Sequence, residues 1–410
     1  MCAVLVLFVL LPARNASAYG VLAHEAVIDA AWESSIAPRL RSKFHASEDE
    51  LKKARAFAYG GCLIQDLGYY PASSRTFGDL THYVRSGDFV AALLRDSTNA
   101  DEYAFALGAL AHYASDIDGH QLAVNPSVAL LYPKLRAEFG PQITYEQNPA
   151  AHLKTEFGFD VIQIVRGSYL PTMYHDFIGF EVSRPVLERA FLDTYGLDID
   201  EVFGDLDLAV GSFRYAVSTM IPQMTKVAWQ TKRDEIEKTT PGVTQSKFLF
   251  GMTRPDFERE WGVKYDRPGF RSKFFAVLLR LVPKIGPFRA LSFRLPTPEA
   301  EQLFIKSFQA SVDRYRDLVA DTGRARLTLD NRNFDTGKPV RAGDYRRADT
   351  AYETLLERLQ QDRFAHASPA LRANLLAFFA ALPKPTASRD LKQWQKTQAR
   401  LAQLRALAAN

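Results

Sequence analysis

The chain has 410 residues, 47% hydrophobic and 24% charged. That composition excludes a disordered or collagen-like molecule and is too long for one core of typical size. Lys and Arg number 51 against 47 Asp and Glu, a formal charge of +4, too mild to mark nucleic acid as a resident partner.

Residues Cys2 to Pro12 form an apolar run, and Ala16, Ser17 and Ala18 follow in the small-x-small pattern read by signal peptidase. The run falls short of the ~20 residues of a spanning helix. The expectation is a signal peptide over 1–18, cleavage before Tyr19, and a secreted or periplasmic protein. Cleavage removes Cys2 and leaves Cys62 as the one thiol, so cross-linking of the mature chain would fall to metal ions.

Helical spacing then dominates. Gly20 to Trp32 carries Val21, Leu22, Val27, Ile28 and Ala31 on one side, and Ser47 with Glu50 forms a capping box for a helix running towards Gly60. Asn99 with Glu102 opens another helix, and Asn148 followed by Pro149 a third. Arg184 to Thr194 and Leu206 to Lys232 continue the pattern. A Pro-, Gly- and aromatic-rich stretch from Thr239 to Pro298 interrupts it. Helices resume over Pro298 to Ala320, Thr350 to Leu359 and Leu371 to Leu407. Between them lies an irregular region, Arg324 to Tyr345, with a short hairpin expected at Arg326 to Arg332. The string Asp335 to Lys338 lacks the glycine spacing of a phosphate loop and reads as a turn. Strand patterns are scarce, so the predicted class is all-α. The predicted organisation is a catalytic domain over 19–240, a connecting segment over 241–298 and a helical region over 299–410.

Five of the eight histidines fall in one ordered set with three carboxylates: His24, Asp66, His82, His112, Asp116, His120, His152 and Glu156. Steps of four from His112 to Asp116 to His120, and from His152 to Glu156, stack side chains on one helix face, so each group can converge on an ion. A divalent cation would offset the desolvation of the acids, and imidazole is the commonest zinc ligand. His45, His175 and His366 lie outside the set and read as ordinary residues.

In this order the motifs resemble the zinc-dependent phospholipase C superfamily, which includes secreted bacterial phospholipases C, fungal single-strand nucleases and GPI-specific phospholipases D. The likeness covers about the first 235 residues, the signal peptide excluded. It implies a multi-helix core holding up to three zinc ions. Asp66, His82, His112 and Asp116 would hold one; the amine and carbonyl of an N-terminal Tyr19, with His24 and a bridging Asp116, a second; His120, His152 and Glu156 the third. Many relatives begin with tryptophan, but ligation through backbone atoms lets tyrosine serve. The four-residue step from Asp116 to His120 matches the phospholipase D branch, whereas the phospholipases C and nucleases usually have six.

Clustered zinc suits phosphodiester hydrolysis because it acidifies water and neutralises phosphoryl charge. Asp66 is the candidate to orient or deprotonate the nucleophile. From Arg267 to Pro298 there are seven basic residues and no acidic one, with Phe270, Phe274, Phe275, Phe288 and Phe293 interleaved. That mixture fits contact with an anionic membrane, single-stranded nucleic acid less well, or the core of an appended region with solvated arginines. Three functions stand: a secreted phospholipase C acting on phospholipid head groups, a nuclease or other phosphodiesterase on the same metal core, and a non-catalytic zinc-stabilised binding protein.

Overall fold

The computed structural model describes residues 20–70, 72–166, 180–217, 229, 233–234, 236–238, 293–323, 327–382 and 388–408. The expected signal peptide, Tyr19 and nearly all of the basic aromatic segment lie outside these residues. Among the described residues the fold is all-α, with one isolated bridge between Arg332 and Pro339 in place of strands.

Nine helices make up the first part: α1 Val21–Ala31, α2 Ala37–Phe44, α3 Glu48–Leu63, α4 Arg75–Tyr83, α5 Ser86–Asp96, α6 Ala100–Gly119, α7 Asn125–Leu131, α8 Pro133–Phe139 and α9 Pro149–Arg166. Then come α10 Arg184–Tyr195, α11 Ile199–Phe203, α12 Leu206–Tyr215, α13 Pro298–Asp321, α14 Arg346–Gln361, α15 Pro369–Ala381 and α16 Ser388–Ala408.

Helix α6 is the axis of the molecule. Every residue from Glu102 to Gly119 is buried, the mark of a helix surrounded on all sides. It starts where the sequence says it should, with the Asn99 side chain accepting from Glu102 N. Its crossing with α3 is made of small residues: a Cβ at Gly61 would lie 1.9 Å from the Phe105 carbonyl oxygen, and one at Gly108 2.1 Å from that of Ala58. Side chains at either position would force the helices apart, and His112 is on this helix. The capping box of Ser47 and Glu50 opens α3, and α3 in turn is tied to α1 by Arg55 on Asp29 at 2.7 Å.

The C-terminal helices share this core. Tyr315 of α13 donates to the Leu107 carbonyl of α6 at 3.0 Å, and Arg314 grips Asp118 with bonds of 2.7 and 2.9 Å. One continuous apolar cluster runs from Val27 through Leu107 and Phe191 to Tyr315, Leu355 and Leu404. Truncating such a fully buried leucine to alanine costs about 2–5 kcal/mol. None of the described helices is long and apolar enough to cross a membrane.

Three local readings change. The hairpin expected at Arg326 to Arg332 falls partly outside the described residues; among 327–332 no hairpin is present, and Arg332 instead forms a bridge with Pro339. Helix α14 begins at Arg346, four residues earlier than expected. The terminal run divides, α15 ending at Leu382 with φ −76 and ψ 121, because Pro383 drives the residue before it out of the helical region.

Candidate metal centre

The eight candidate ligands within the described residues come from six elements, His120 from the π turn His120–Val124 that follows α6. His24 is on α1, His82 in the last turn of α4, His112 and Asp116 on α6, and His152 and Glu156 on α9. Asp66 sits in the short 3-10 turn Ile64–Tyr69 that leaves α3, and Gln65 beside it donates to the Ala109 carbonyl of α6 at 3.2 Å. Helix α1 is fastened to α9 where Leu22 N donates to Asp160 at 3.4 Å. All eight side chains are buried.

They form two neighbouring clusters. In the first, Asp116 Oδ1 is 3.4 Å from His24 Nε2, while its Oδ2 is 3.2 Å from His112 Nε2 and 3.7 Å from His82 Nε2. Asp66 spans the same gap, Oδ1 at 3.5 Å from His82 and Oδ2 at 4.0 Å from His24. The expectation had Asp116 alone as the bridge; both carboxylates have that geometry. Ligand atoms of His24, Asp66 and His112 lie within 4.8 Å of one another, as do those of His82, His112 and Asp116. In the second cluster Glu156 Oε1 is 3.5 Å from His152 Nδ1 and 4.0 Å from His120 Nε2. The four-residue ladder on α6 therefore converges on one region but divides between clusters. Beyond Gly119 the helix widens into a π turn, His120–Val124, which changes the direction in which successive residues point.

The tautomers suit metal binding. Carbonyl oxygens only accept, so the carbonyls of Gly78, Cys62 and Phe334, at 2.9, 2.9 and 2.8 Å, place the proton of His82, His112 and His120 on Nδ1. The carbonyl of Ile143, 2.5 Å from His152 Nε2, does the reverse. What remains includes Nε2 of His82 and His120, Nδ1 of His152, Asp116 Oδ1 and both oxygens of Glu156, all without a hydrogen-bond partner, while His112 Nε2 faces Asp116 Oδ2 at 3.2 Å. Buried polar atoms are seldom left so, since each such loss costs on the order of 1–3 kcal/mol. Their donor set, imidazole nitrogen and carboxylate oxygen, is what zinc takes, and backbone-oriented imidazoles are its usual support. The residues fit the metal.

The model of the family described as zinc dependent phospholipase C matches residues 23–204. Over this region the chain is similar to that family. No curated protein and no solved structure matches the chain. All eight described ligands fall inside the zinc-dependent phospholipase C region, and Tyr19 falls outside both it and the described residues.

The clusters differ in their electrostatics. Burial would raise Asp116 and lower His112, but their pairing prevails: Asp116 is held well below the usual carboxylate range and His112 is raised. His24 is pushed down to about 4, by burial and then by His112. In the second cluster burial and then His120 push His152 down to about 3. Burial, and after it the charges of Asp66, Asp116 and Asp335, push Glu156 well above the ordinary range.

Asp335 and Phe334, outside the family region, were not among the sequence candidates. Phe334 supplies the carbonyl that orients His120, and its ring lies 5.3 Å from His82 and 5.9 Å from His112. Asp335 is fully buried, with Oδ1 4.0 Å from His120 Nδ1. Only a buried acid inside an otherwise polar turn could have signalled them, and sequence does not display burial. His45, by contrast, ends α2 in the left-handed conformation, φ 56, and exposed His366 faces Asp362 at 3.8 Å.

Proposed function

We propose that this chain is an exported zinc-dependent phosphodiesterase of phospholipase C type, hydrolysing the head-group phosphodiester of phospholipids. The observation that carries the reading is the orphaned set of imidazole nitrogens and carboxylate oxygens, directed into two neighbouring clusters, one about Asp66 and Asp116 and the other about Glu156. The match to that family over residues 23–204 supports the hydrolase class.

Up to three zinc ions would be held, two around Asp66 and Asp116 with His24, His82 and His112, and one by His120, His152 and Glu156. Tyr19, freed by signal cleavage, would add its amine and carbonyl beside His24. Bound zinc supplies Lewis acidity, lowering the pKa of a water and neutralising charge that develops on phosphoryl oxygens. The protein's part is positional. Backbone carbonyls hold the imidazoles in their ligating tautomers, and Asp66, facing His82 with one oxygen and His24 with the other, is placed to orient the attacking nucleophile and take its proton. Substrate approach at an interface would use the basic aromatic segment 267–298.

Turnover of phospholipid vesicles, a soluble chromogenic phosphodiester and single-stranded DNA by the zinc-loaded protein tests the reading. Phospholipid cleaved at the glycerol side of the phosphate, faster than DNA, is expected. Preference for DNA would transfer the site to nuclease chemistry, and no turnover of any substrate would leave a zinc-stabilised binding protein.

A further inference from the structure

The turn Asn333–Lys338 lies far outside the zinc-dependent phospholipase C region in sequence, yet its inner residues touch the metal ligands. Phe334 N donates to the His82 carbonyl at 3.2 Å, while the Phe334 carbonyl accepts from His120 Nδ1 at 2.8 Å. One residue thus contacts a ligand from each cluster. The next residue is a carboxylate locked in place: Asp335 Oδ2 accepts from Tyr83 at 2.8 Å and from the Tyr345 hydroxyl, and the Asp335 carbonyl accepts from Asn125 at 2.8 Å.

Two of these partners, Tyr83 and Asn125, belong to the metal-bearing part. Tyr83 directly follows His82 on α4, and Asn125 begins α7 just after the π turn of His120. Gly337, at φ +67, brings the turn so near α6 that a Cβ there would meet the Ile117 carbonyl at 2.6 Å. Ser86 closes the other edge, donating to the Arg332 carbonyl at 2.6 Å and accepting from its N–H at 3.0 Å. Asp335 Oδ1 meanwhile has no hydrogen-bond partner and faces the ring of His120. A negative charge buried beside an imidazole raises its basicity and favours a cation on the opposite nitrogen.

We propose that the 331–345 segment is an outer shell of the second cluster: Asp335 and the Phe334 carbonyl are positioning groups for His120, and docking of the turn and metal occupancy at His120, His152 and Glu156 strengthen each other. The coupling is reciprocal by thermodynamic necessity. Whatever the turn adds to metal affinity, the metal returns to the docking of the turn. The C-terminal region is then a condition for a complete metal centre in this chain. The inference rests on zinc occupying the clusters and is independent of which phosphodiester is cleaved.

Hydrogen exchange of the full-length protein, with and without zinc, is the first test. Removing zinc should speed exchange at the Phe334 and Gly337 amides, the latter bonded to the Asn333 carbonyl at 2.8 Å, while amides of α10 stay protected. Chelator titration of Asp335→Asn is the second. This variant keeps an acceptor for the tyrosine hydroxyls and should release one zinc equivalent at about 10- to 100-fold lower chelator concentration, the usual effect of losing an outer partner. Tyr345→Phe should show a smaller shift in the same equivalent. Unchanged exchange at Phe334 and Gly337 on zinc removal, or wild-type zinc retention by Asp335→Asn, would overturn the coupling and leave the zinc reading standing. Protein that takes up no zinc would overturn both.

Discussion

The two clusters use similar side chains and solve the problem of buried charge differently. Around Asp116 the protein carries its own counter-charge: the Asp116 carboxylate and the raised His112 form a buried ion pair, with His24 and His82 about the same carboxylate. Around Glu156 there is no such pair. Burial pushes His152 down to about 3 and Glu156 up, with other carboxylates pressing on Glu156 in the same direction. The first cluster thus favours the charged carboxylate before metal arrives, whereas burial in the second disfavours charge on Glu156. The cluster short of internal counter-charge is also the one that the distant Asn333–Lys338 turn supports.

The largest blow to this picture should come from Asp116→Asn. The change is nearly isosteric, so the helix should survive, but it removes the carboxylate shared by His24, His82 and His112. Loss of about two zinc equivalents and of all measurable hydrolysis is expected, read by metal analysis and vesicle turnover. Wild-type turnover would mean that this face of α6 is not the active site. His152→Ala should be more selective, costing about one equivalent and leaving the zinc around Asp116 in place. Loss of every metal in that variant would show that the clusters are a single cooperative unit.

Proton release sharpens the comparison next. In the metal-free protein both Glu156 and His112 have folded pKa values above their unfolded ones. For Glu156 the linked stability is complete below its unfolded value of 4.5 and is lost as pH rises towards the raised folded value. His112 follows the same sign from 6.5 up to about 9. Zinc replaces these protons, so affinity should climb about tenfold per pH unit for each proton displaced. The rise in melting temperature on adding zinc should therefore be larger at pH 8 than at pH 6, and His152→Ala should reduce the number of protons released. A zinc response independent of pH would contradict the assigned protonation states. The smallest effect expected is on interfacial contact. Changing Arg271, Lys273 and Arg280 to Glu should weaken binding to anionic vesicles by roughly 1 kcal/mol per charge removed, with turnover of a soluble phosphodiester little altered. Equal loss on both substrates would point to a structural role for the segment.

Much of this was legible in the sequence because ligand spacing and helix periodicity are local properties. His112 with Asp116, and His152 with Glu156, announce themselves by a step of four, and Ser47 and Asn99 cap the helices they precede. The division of His120 from Asp116 came from the resemblance and not from the spacing, since the step of four alone stacks them on one face and the π turn between them is marked by no residue type. The sharp corner at Arg85, φ 50, which separates α4 from α5 and is braced by the Arg85 guanidinium on the Thr194 carbonyl at 2.7 Å, was not legible. Asp335 was hidden most completely. It reads as a solvated turn residue, and only packing against Tyr83, Asn125 and Tyr345 turns it inward.

Anomalous X-ray scattering at the zinc edge from crystals of the zinc-loaded protein tests the central claim most directly. The account predicts one peak among His120, His152 and Glu156, and density for zinc on either side of Asp116, each within about 2.0–2.2 Å of its nitrogen and oxygen ligands. Absence of zinc from both clusters, or zinc bound only at exposed residues such as His366, would contradict it.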